Sequence, residues 1–274
     1  MLGLIAGGGA LPLEIAERRR GAGLGTFVVR LEGLADAALA EFPGAEISLT
    51  KLSRMVDAMR AGGCDSVCFA GVVRRPDFAR LAPDLRDLGL VPGIVSAARQ
   101  GDDALLRHLL AHFEQAGFQP VGAHEAAGNL TLPPGALGRH APSEEAMTDA
   151  RQALTVVRAL GRLDVGQAAV VARGLVLAVE AQEGTDAMLR RVAELPEALR
   201  GTAEARCGVL VKARKPIQEE RVDLPTLGVS TIENAARAGL AGVVAEAGKA
   251  LVLDRPGVIA AADRLGLFVY GLDT

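Results

Sequence analysis

A charged run between Lys212 and Asp223 is the part of the sequence best suited to chemistry. It follows an apolar segment, and Pro216 and Pro225 disfavour a long helix there. Cations in such a loop would neutralise a pyrophosphate, and an acid would hold a metal ion or orient water. An exposed loop with surface ion pairs explains the same composition. The residues alone favour neither of these two interpretations.

A second cluster of oxygen-bearing side chains follows another apolar segment, and it comprises Glu180, Glu183, Thr185 and Asp186. Mg²⁺ prefers oxygen ligands, commonly one or two carboxylates together with substrate phosphates and water. Thr185 or Asp186 could equally cap a helix. The cluster by itself is therefore compatible with a metal site and with an ordinary helix start.

The glycines at positions 7–9 follow a short apolar run, which predicts a buried strand and a tight turn. This pattern partly matches a dinucleotide-binding fingerprint, but Pro12 stands where the third glycine is required. A turn that opens a helix still presents backbone N–H groups, and these attract phosphate. The turn therefore predicts a phosphate or nucleotide contact and disfavours a redox cofactor.

Strands and helices alternate through the first half of the chain, with strand-like runs near 2–6, 26–31 and 66–73 and a periodic helix at 102–116. This alternation predicts a parallel sheet with helical crossovers. Ligands of such sheets bind at the carboxyl ends of the strands, where the glycine turn and the pair Gly71–Val72 are expected.

A turn-rich segment without periodicity separates the two halves of the chain. We therefore predict an α/β protein with a first domain at residues 1–130, a linker or hinge at 131–142 and a distinct C-terminal α/β domain at 143–274. Within the second domain, one strand is expected near 167–180. The topology of that domain cannot be read from the pattern.

The composition excludes some functional classes. A net charge of −3 without a block of lysine or arginine argues against nucleic-acid binding. No uninterrupted apolar stretch approaches the length of a membrane span, so any membrane contact is expected to be peripheral. Three cysteines without a secretory leader predict reduced thiols and a cytoplasmic location, and Cys68 is expected to be buried.

Three motifs, occurring in order along the chain, resemble the LpxI-type UDP-2,3-diacylglucosamine pyrophosphatases of lipid A synthesis. They are Leu4-Ile-Ala-Gly-x-Gly-x-Leu-Pro12, Glu180-x-x-Glu183-Gly-Thr-Asp186-x-Met-Leu and Gly208-Val-Leu-Val-Lys212-x-x-Lys215-Pro-x-Gln218-x-x-Arg221-x-Asp223-Leu-Pro-Thr-x-Gly228.

This resemblance implies hydrolysis of UDP-2,3-diacylglucosamine to UMP and 2,3-diacylglucosamine 1-phosphate (lipid X), with water attacking the phosphorus on the sugar side. It implies Mg²⁺ or another divalent cation such as Mn²⁺. It also implies an N-terminal Rossmann-like domain, with the ligand between that domain and the C-terminal one. Asp223 matches the catalytic aspartate of the family.

We accordingly predict catalytic roles for Asp223, Lys212 and Lys215, and metal binding by Asp223, Glu183 and Asp186. The predicted substrate contacts are Gly8, Gly9, Ala10, Gly71, Val72, Thr185, Lys212 and Thr226. The expected partners are the substrate, lipid X and, transiently, the cytoplasmic face of the inner membrane, with a homodimer as the expected assembly if the chain associates. The alternatives are a non-catalytic module that binds a nucleotide sugar or lipid, and an NAD(P)-dependent oxidoreductase, which Pro12 disfavours.

Overall fold

The computed structural model describes residues 1–73, 85–128, 130–215 and 224–273. These residues form two compact units, one of residues 1–73 and 85–128 and the other of residues 130–215 and 224–273. Asp223 and Arg221, the end of the charged run predicted to carry chemistry, lie outside the described residues.

The described part of the first unit contains a parallel sheet of five strands in the order β3-β2-β1-β4-β5. Every residue of β1 is buried, as expected for a central strand with helices on both faces. The predicted parallel sheet is thus confirmed. The strands are β1 (Leu2–Ala6), β2 (Thr26–Leu31), β3 (Gly44–Ile47), β4 (Ser66–Ala70) and β5 (Gln119–Pro120).

The helices of the first unit supply the apolar side chains that cover this sheet. One core cluster joins Ile5 and Val29 of the sheet to Met55 of α2 and Phe113 of α4. Cys68 of β4 is fully buried, which confirms the prediction for this residue. The helices are α1 (Leu11–Gly21), α2 (Leu52–Ala61), α3 (Val91–Gln100), α4 (Asp102–Gln115) and α5 (Ala123–Ala126), with 3-10 turns at Ala37–Glu41 and Leu85–Asp87.

The described part of the second unit contains a mixed sheet of six strands in the order β6-β13-β11-β9-β7-β8. The central strands β13, β11 and β9 are parallel, whereas β6, β7 and β8 join antiparallel to their neighbours. A separate pair, β10 and β12, is parallel. The strands are β6 (Gly135–Ala136), β7 (Ala168–Ala172), β8 (Leu175–Val179), β9 (Val209–Lys212), β10 (Thr226–Leu227), β11 (Gly242–Glu246), β12 (Leu251–Val252) and β13 (Phe268–Leu272).

Helices cover this sheet on two faces, and each face has its own core cluster. Leu210 of β9 packs in one cluster with residues of α7, α8 and α9, whereas Val209 and Val211 pack in the other with α6. This alternation follows from the two-residue period of a strand. The helices are α6 (Glu144–Arg162), α7 (Thr185–Ala193), α8 (Val229–Arg237) and α9 (Arg255–Leu265).

The prediction of a single strand near 167–180 is wrong, because β7 and β8 form an antiparallel hairpin there. Arg173 and Gly174 make its turn, with φ angles of 51° and 74°. The two oxygens of the buried Asp149 carboxylate accept hydrogen bonds from their backbone N–H groups, at 2.9 and 2.8 Å. A side chain of α6 thereby stabilises a turn that the local sequence does not reveal.

The first part of the segment predicted as a linker is hydrogen-bonded within the second unit. Leu132 N donates to Ala250 O at 2.8 Å, and Leu137 N donates to Val269 O at 2.8 Å. Strand β6 lies between these two bonds. Residues 132–137 therefore belong to the second unit instead of forming a free connection.

Candidate functional site

In the first unit, the two predicted ligand-binding turns lie side by side. The N–H of Gly8 donates to the carbonyl of Val72 at 3.0 Å, and the N–H of Val72 donates to the carbonyl of Gly8 at 2.8 Å. Gly7 N also donates to Ala70 O at 2.8 Å. Since β1 and β4 are neighbouring parallel strands, the turns at their carboxyl ends meet at one edge of the sheet.

Glycine is required at Gly71 for two reasons. Its φ of +93° lies in a region that other residues rarely adopt. A Cβ atom there would lie 2.6 Å from the Gly8 carbonyl oxygen and 2.9 Å from Pro12 Cγ. The close approach of the two turns therefore depends on the absence of a side chain at this position.

Gly9 and Ala10 are exposed and precede the first residue of α1. Among the described residues, no acceptor binds their backbone N–H groups. No side chain caps this helix, and Pro12 lies in its first turn. The start of α1 thus combines free N–H groups with the positive end of a helix dipole, an arrangement that suits an anionic group.

In the second unit, Lys212 is the last residue of β9 and is only 6% exposed. It is in register with Ala168 of β7 and Ala245 of β11, and it alternates with Leu210 on the face covered by α7, α8 and α9. Its Nζ donates to the carbonyl of Thr226 at 2.9 Å. The structure therefore brings together two residues that the sequence analysis assigned to the substrate.

Lys215 forms a different contact. Its Nζ lies 2.7 Å from Oδ1 of Asp164, which follows the C-terminal end of α6, and both side chains are mostly buried. Sequence reasoning did not identify Asp164 as the partner, because the two residues are 51 positions apart. A phosphate bound by Lys215 would therefore share its ammonium group with this carboxylate.

The acidic cluster divides into one buried and two outward-facing carboxylates. Glu180, directly after β8, is 7% exposed, and its Oε1 accepts a hydrogen bond from the Thr185 hydroxyl at 3.2 Å. Its Oε2 is buried without a hydrogen-bond partner. Sequence reasoning noted this residue but did not select it, although its alternation with the core residue Ala178 was a usable signal.

Glu183 and Asp186, the two predicted metal ligands in the described residues, already have partners. Glu183 forms an ion pair with Arg191 and accepts a hydrogen bond from Ala181 N. Hydrogen bonds from its own backbone and from Arg191 lower the pKa of the Glu183 carboxyl. Asp186 Oδ1 accepts from the side-chain amide of Asn234 at 2.9 Å.

The residues that the structure describes include no group of three or more His, Cys, Asp or Glu side chains arranged to hold a metal ion. The unpartnered Glu180 oxygen and the adjoining Thr185 hydroxyl are nevertheless hard oxygen donors, the type that Mg²⁺ and Mn²⁺ bind. These donors fit a divalent cation as a partial ligand set that substrate or water would complete.

Within the described residues, no helix is both long and apolar enough to cross a membrane.

Comparisons with known proteins cover nearly the whole chain. A family model described as the LpxI N-terminal domain matches residues 1–130, and one described as the LpxI C-terminal domain matches residues 133–270. A curated relative from Caulobacter vibrioides, named UDP-2,3-diacylglucosamine pyrophosphatase LpxI, is 61% identical over 272 residues. That alignment covers 99% of this chain and 97% of the relative.

Proposed function

The chain belongs to the LpxI family, and from this membership we propose that it hydrolyses UDP-2,3-diacylglucosamine to UMP and 2,3-diacylglucosamine 1-phosphate. The observation that carries the proposal is the 61% identity to a relative of that name over 99% of the chain. Both family domains are matched in order, so the likeness is not confined to a nucleotide-binding half.

Catalysis of this hydrolysis requires the protein to position a diphosphate and to stabilise its negative charge. Hydrolysis of a phosphoanhydride proceeds through a transition state whose negative charge is spread over phosphoryl oxygens. Lys212 supports this role because its ammonium group is held in a buried position by the Thr226 carbonyl. A preorganised cation stabilises developing charge more effectively than a solvated one. Lys215 is proposed as a second phosphate contact.

Binding of the nucleotide part is assigned to the first unit. Gly9 and Ala10 are exposed at the start of α1, with no acceptor for their N–H groups among the described residues, and Gly8, Gly71 and Val72 form the paired turns beside them. Backbone donors of this kind bind phosphate without a charged side chain. We assign these five residues to the phosphate or nucleotide of the substrate.

A divalent cation, Mg²⁺ or Mn²⁺, would polarise the phosphoryl oxygens and lower the pKa of an attacking water when bound. Asp223 is proposed to hold this ion or to orient the water, with Glu183 or Asp186 assisting. Glu183 would have to exchange its present bonds to Arg191 and Ala181 to do so. Thr185 and Thr226 are proposed as further substrate contacts.

The substrate carries two acyl chains, so we propose that the protein meets it at the cytoplasmic face of the inner membrane by transient contact. A homodimer is compatible with this proposal and is not required by it.

The test uses purified protein, UDP-2,3-diacylglucosamine in detergent micelles and Mg²⁺, with UMP measured by chromatography. We expect UMP release that stops on addition of a chelator. The variant Asp223→Ala should lose turnover and retain substrate binding. Tight binding of the substrate by the wild-type protein without UMP release would show a binding module in place of an enzyme.

A further inference from the structure

The carboxylate of Glu180 lies directly after the end of β8. This side chain is 93% buried, since its exposed fraction is 7%. It alternates with Ala178 and therefore lies on the face of the sheet that α7, α8 and α9 cover. The backbone N–H of Glu180 donates to Ala168 O at 2.9 Å, so the position of the residue is fixed by the sheet.

The surroundings of Glu180 leave one of its oxygens unsatisfied. Thr185 donates to Oε1 at 3.2 Å, and Oε2 has no hydrogen-bond partner. Within the described residues, no lysine, arginine or histidine forms an ion pair with Glu180. A buried ionised carboxylate requires a compensating charge.

The same face of the sheet carries Lys212. Glu180 follows β8 and is hydrogen-bonded to Ala168 of the neighbouring strand β7. Ala168 is in turn in register with Lys212 of β9. The backbones of the two residues are therefore two strands apart, or roughly 10 Å at the spacing of strands in a sheet, and both residues border the same part of this face.

We propose that Glu180 Oε2 is a ligand of the divalent cation, with the Thr185 hydroxyl fixing the orientation of the carboxylate. Carboxylate and hydroxyl oxygens are the donors that Mg²⁺ and Mn²⁺ select, and one or two carboxylates with substrate oxygens complete a typical shell. Glu183, which precedes the same helix, has both oxygens engaged and lies at the surface. The assignment of this cation to diphosphate hydrolysis rests on the proposed function, whereas the site itself rests on Glu180 and Thr185.

The test measures Mn²⁺ binding by the loss of the free Mn²⁺ EPR signal, once with the protein alone and once with saturating UMP. Glu180→Gln keeps the size of the side chain and removes its charge, and it should weaken Mn²⁺ binding by about 100-fold. Thr185→Val removes only the orienting hydroxyl and should weaken binding by about 10-fold. The matched control is Glu194→Gln, which removes an exposed carboxylate at the other end of α7.

Thermal unfolding distinguishes the loss of a metal ligand from misfolding of the variant. In chelator, Glu180→Gln should melt at or above the wild-type temperature, because it removes a buried and unpaired charge. Added Mn²⁺ should raise the melting temperature of the wild-type protein and of Glu194→Gln, but not that of Glu180→Gln. A large loss of stability of Glu180→Gln in chelator would instead show that the carboxylate serves the fold, and it would overturn the proposal.

Equal Mn²⁺ dissociation constants for the wild type and Glu180→Gln would also overturn the proposal, as would absence of wild-type binding in both titrations. The UMP-release assay separates this outcome from failure of the proposed function. Turnover by the wild type with unchanged Mn²⁺ binding in Glu180→Gln refutes only the ligand assignment. Mn²⁺ binding that depends on Glu180, without UMP release, refutes only the hydrolase.

Discussion

Replacement of Lys212 by methionine is predicted to separate catalysis from stability. The two side chains have similar length, so the substitution removes the ammonium group and preserves most of the packing at the end of β9. The hydrogen bond from Nζ to the Thr226 carbonyl is lost. If the ammonium group acts on a phosphate, activity should fall while the fold remains intact.

The expected magnitudes follow from the burial and the bond. An unsatisfied Thr226 carbonyl would cost about 1–3 kcal/mol of unfolding free energy. Relief from the desolvation of the Lys212 ammonium, which is 6% exposed, acts in the opposite direction. These opposing effects should leave the unfolding free energy within about 2 kcal/mol of the wild type. Loss of one preorganised charge-stabilising group should reduce kcat about 100- to 1,000-fold.

The assay combines initial rates of UMP release with urea unfolding followed by circular dichroism. The matched control is Lys249→Met, because Lys249 is half-exposed and its ion-pair partner at 3.6 Å, the buried Glu246, keeps its closer ion pair with Arg158 at 2.7 Å. That variant should keep its rate within about twofold and lose less than about 1 kcal/mol of stability. Wild-type kcat in Lys212→Met, or an equal loss in the control, would refute the role assigned to Lys212.

Two further predictions concern the first unit. Gly71→Ala should lower the unfolding free energy by at least about 2 kcal/mol, because it forces a Cβ against the Gly8 carbonyl at a positive φ. Gly21 is the last residue of α1 and has open space where a Cβ would lie, so Gly21→Ala should instead raise the unfolding free energy by up to about 1 kcal/mol. Urea titration of both variants measures these opposite changes, and stabilisation by Gly71→Ala would contradict the close packing of the two turns. Burial raises the pKa of the Cys68 thiol to about 12, so this residue should resist iodoacetamide at pH 8 until the protein is unfolded. Mass spectrometry of tryptic peptides measures the modification, and rapid labelling of native Cys68 would contradict its burial.

The fold of the first unit was predictable because its central strands are largely buried and read as short apolar runs. β1 and β4 show this pattern, and the glycine turn after β1 marks the helix start that follows. Alternation of such runs with helices is sufficient to predict a parallel sheet. The meeting of the two turns at one sheet edge then follows from the pairing of their strands.

The second unit was less predictable because its decisive contacts are distant in sequence. The β7–β8 turn places the non-glycine Arg173 in a left-handed conformation, which Asp149 stabilises from α6. The strand β6 has only two residues and pairs with β13, more than a hundred positions away. Local propensity carries no record of such long-range pairings.

The candidate site was also predictable only in part. The sequence motifs located Lys212 and the acidic cluster, but they did not distinguish buried from exposed carboxylates within that cluster. Glu180 is buried because its backbone continues the pairing of β8 with β7 by one residue after Val179. Glu183 comes three residues later and lies at the surface. That distinction depends on how β8 pairs with β7, where a register shift occurs.

Hydrolysis of UDP-2,3-diacylglucosamine in water labelled with heavy oxygen tests the central claim most directly. With Mg²⁺ and purified protein, we expect UMP to be released unlabelled and the heavy oxygen to appear in 2,3-diacylglucosamine 1-phosphate, as detected by mass spectrometry. Absence of UMP would contradict the hydrolase, and label in UMP would contradict attack on the sugar-side phosphorus.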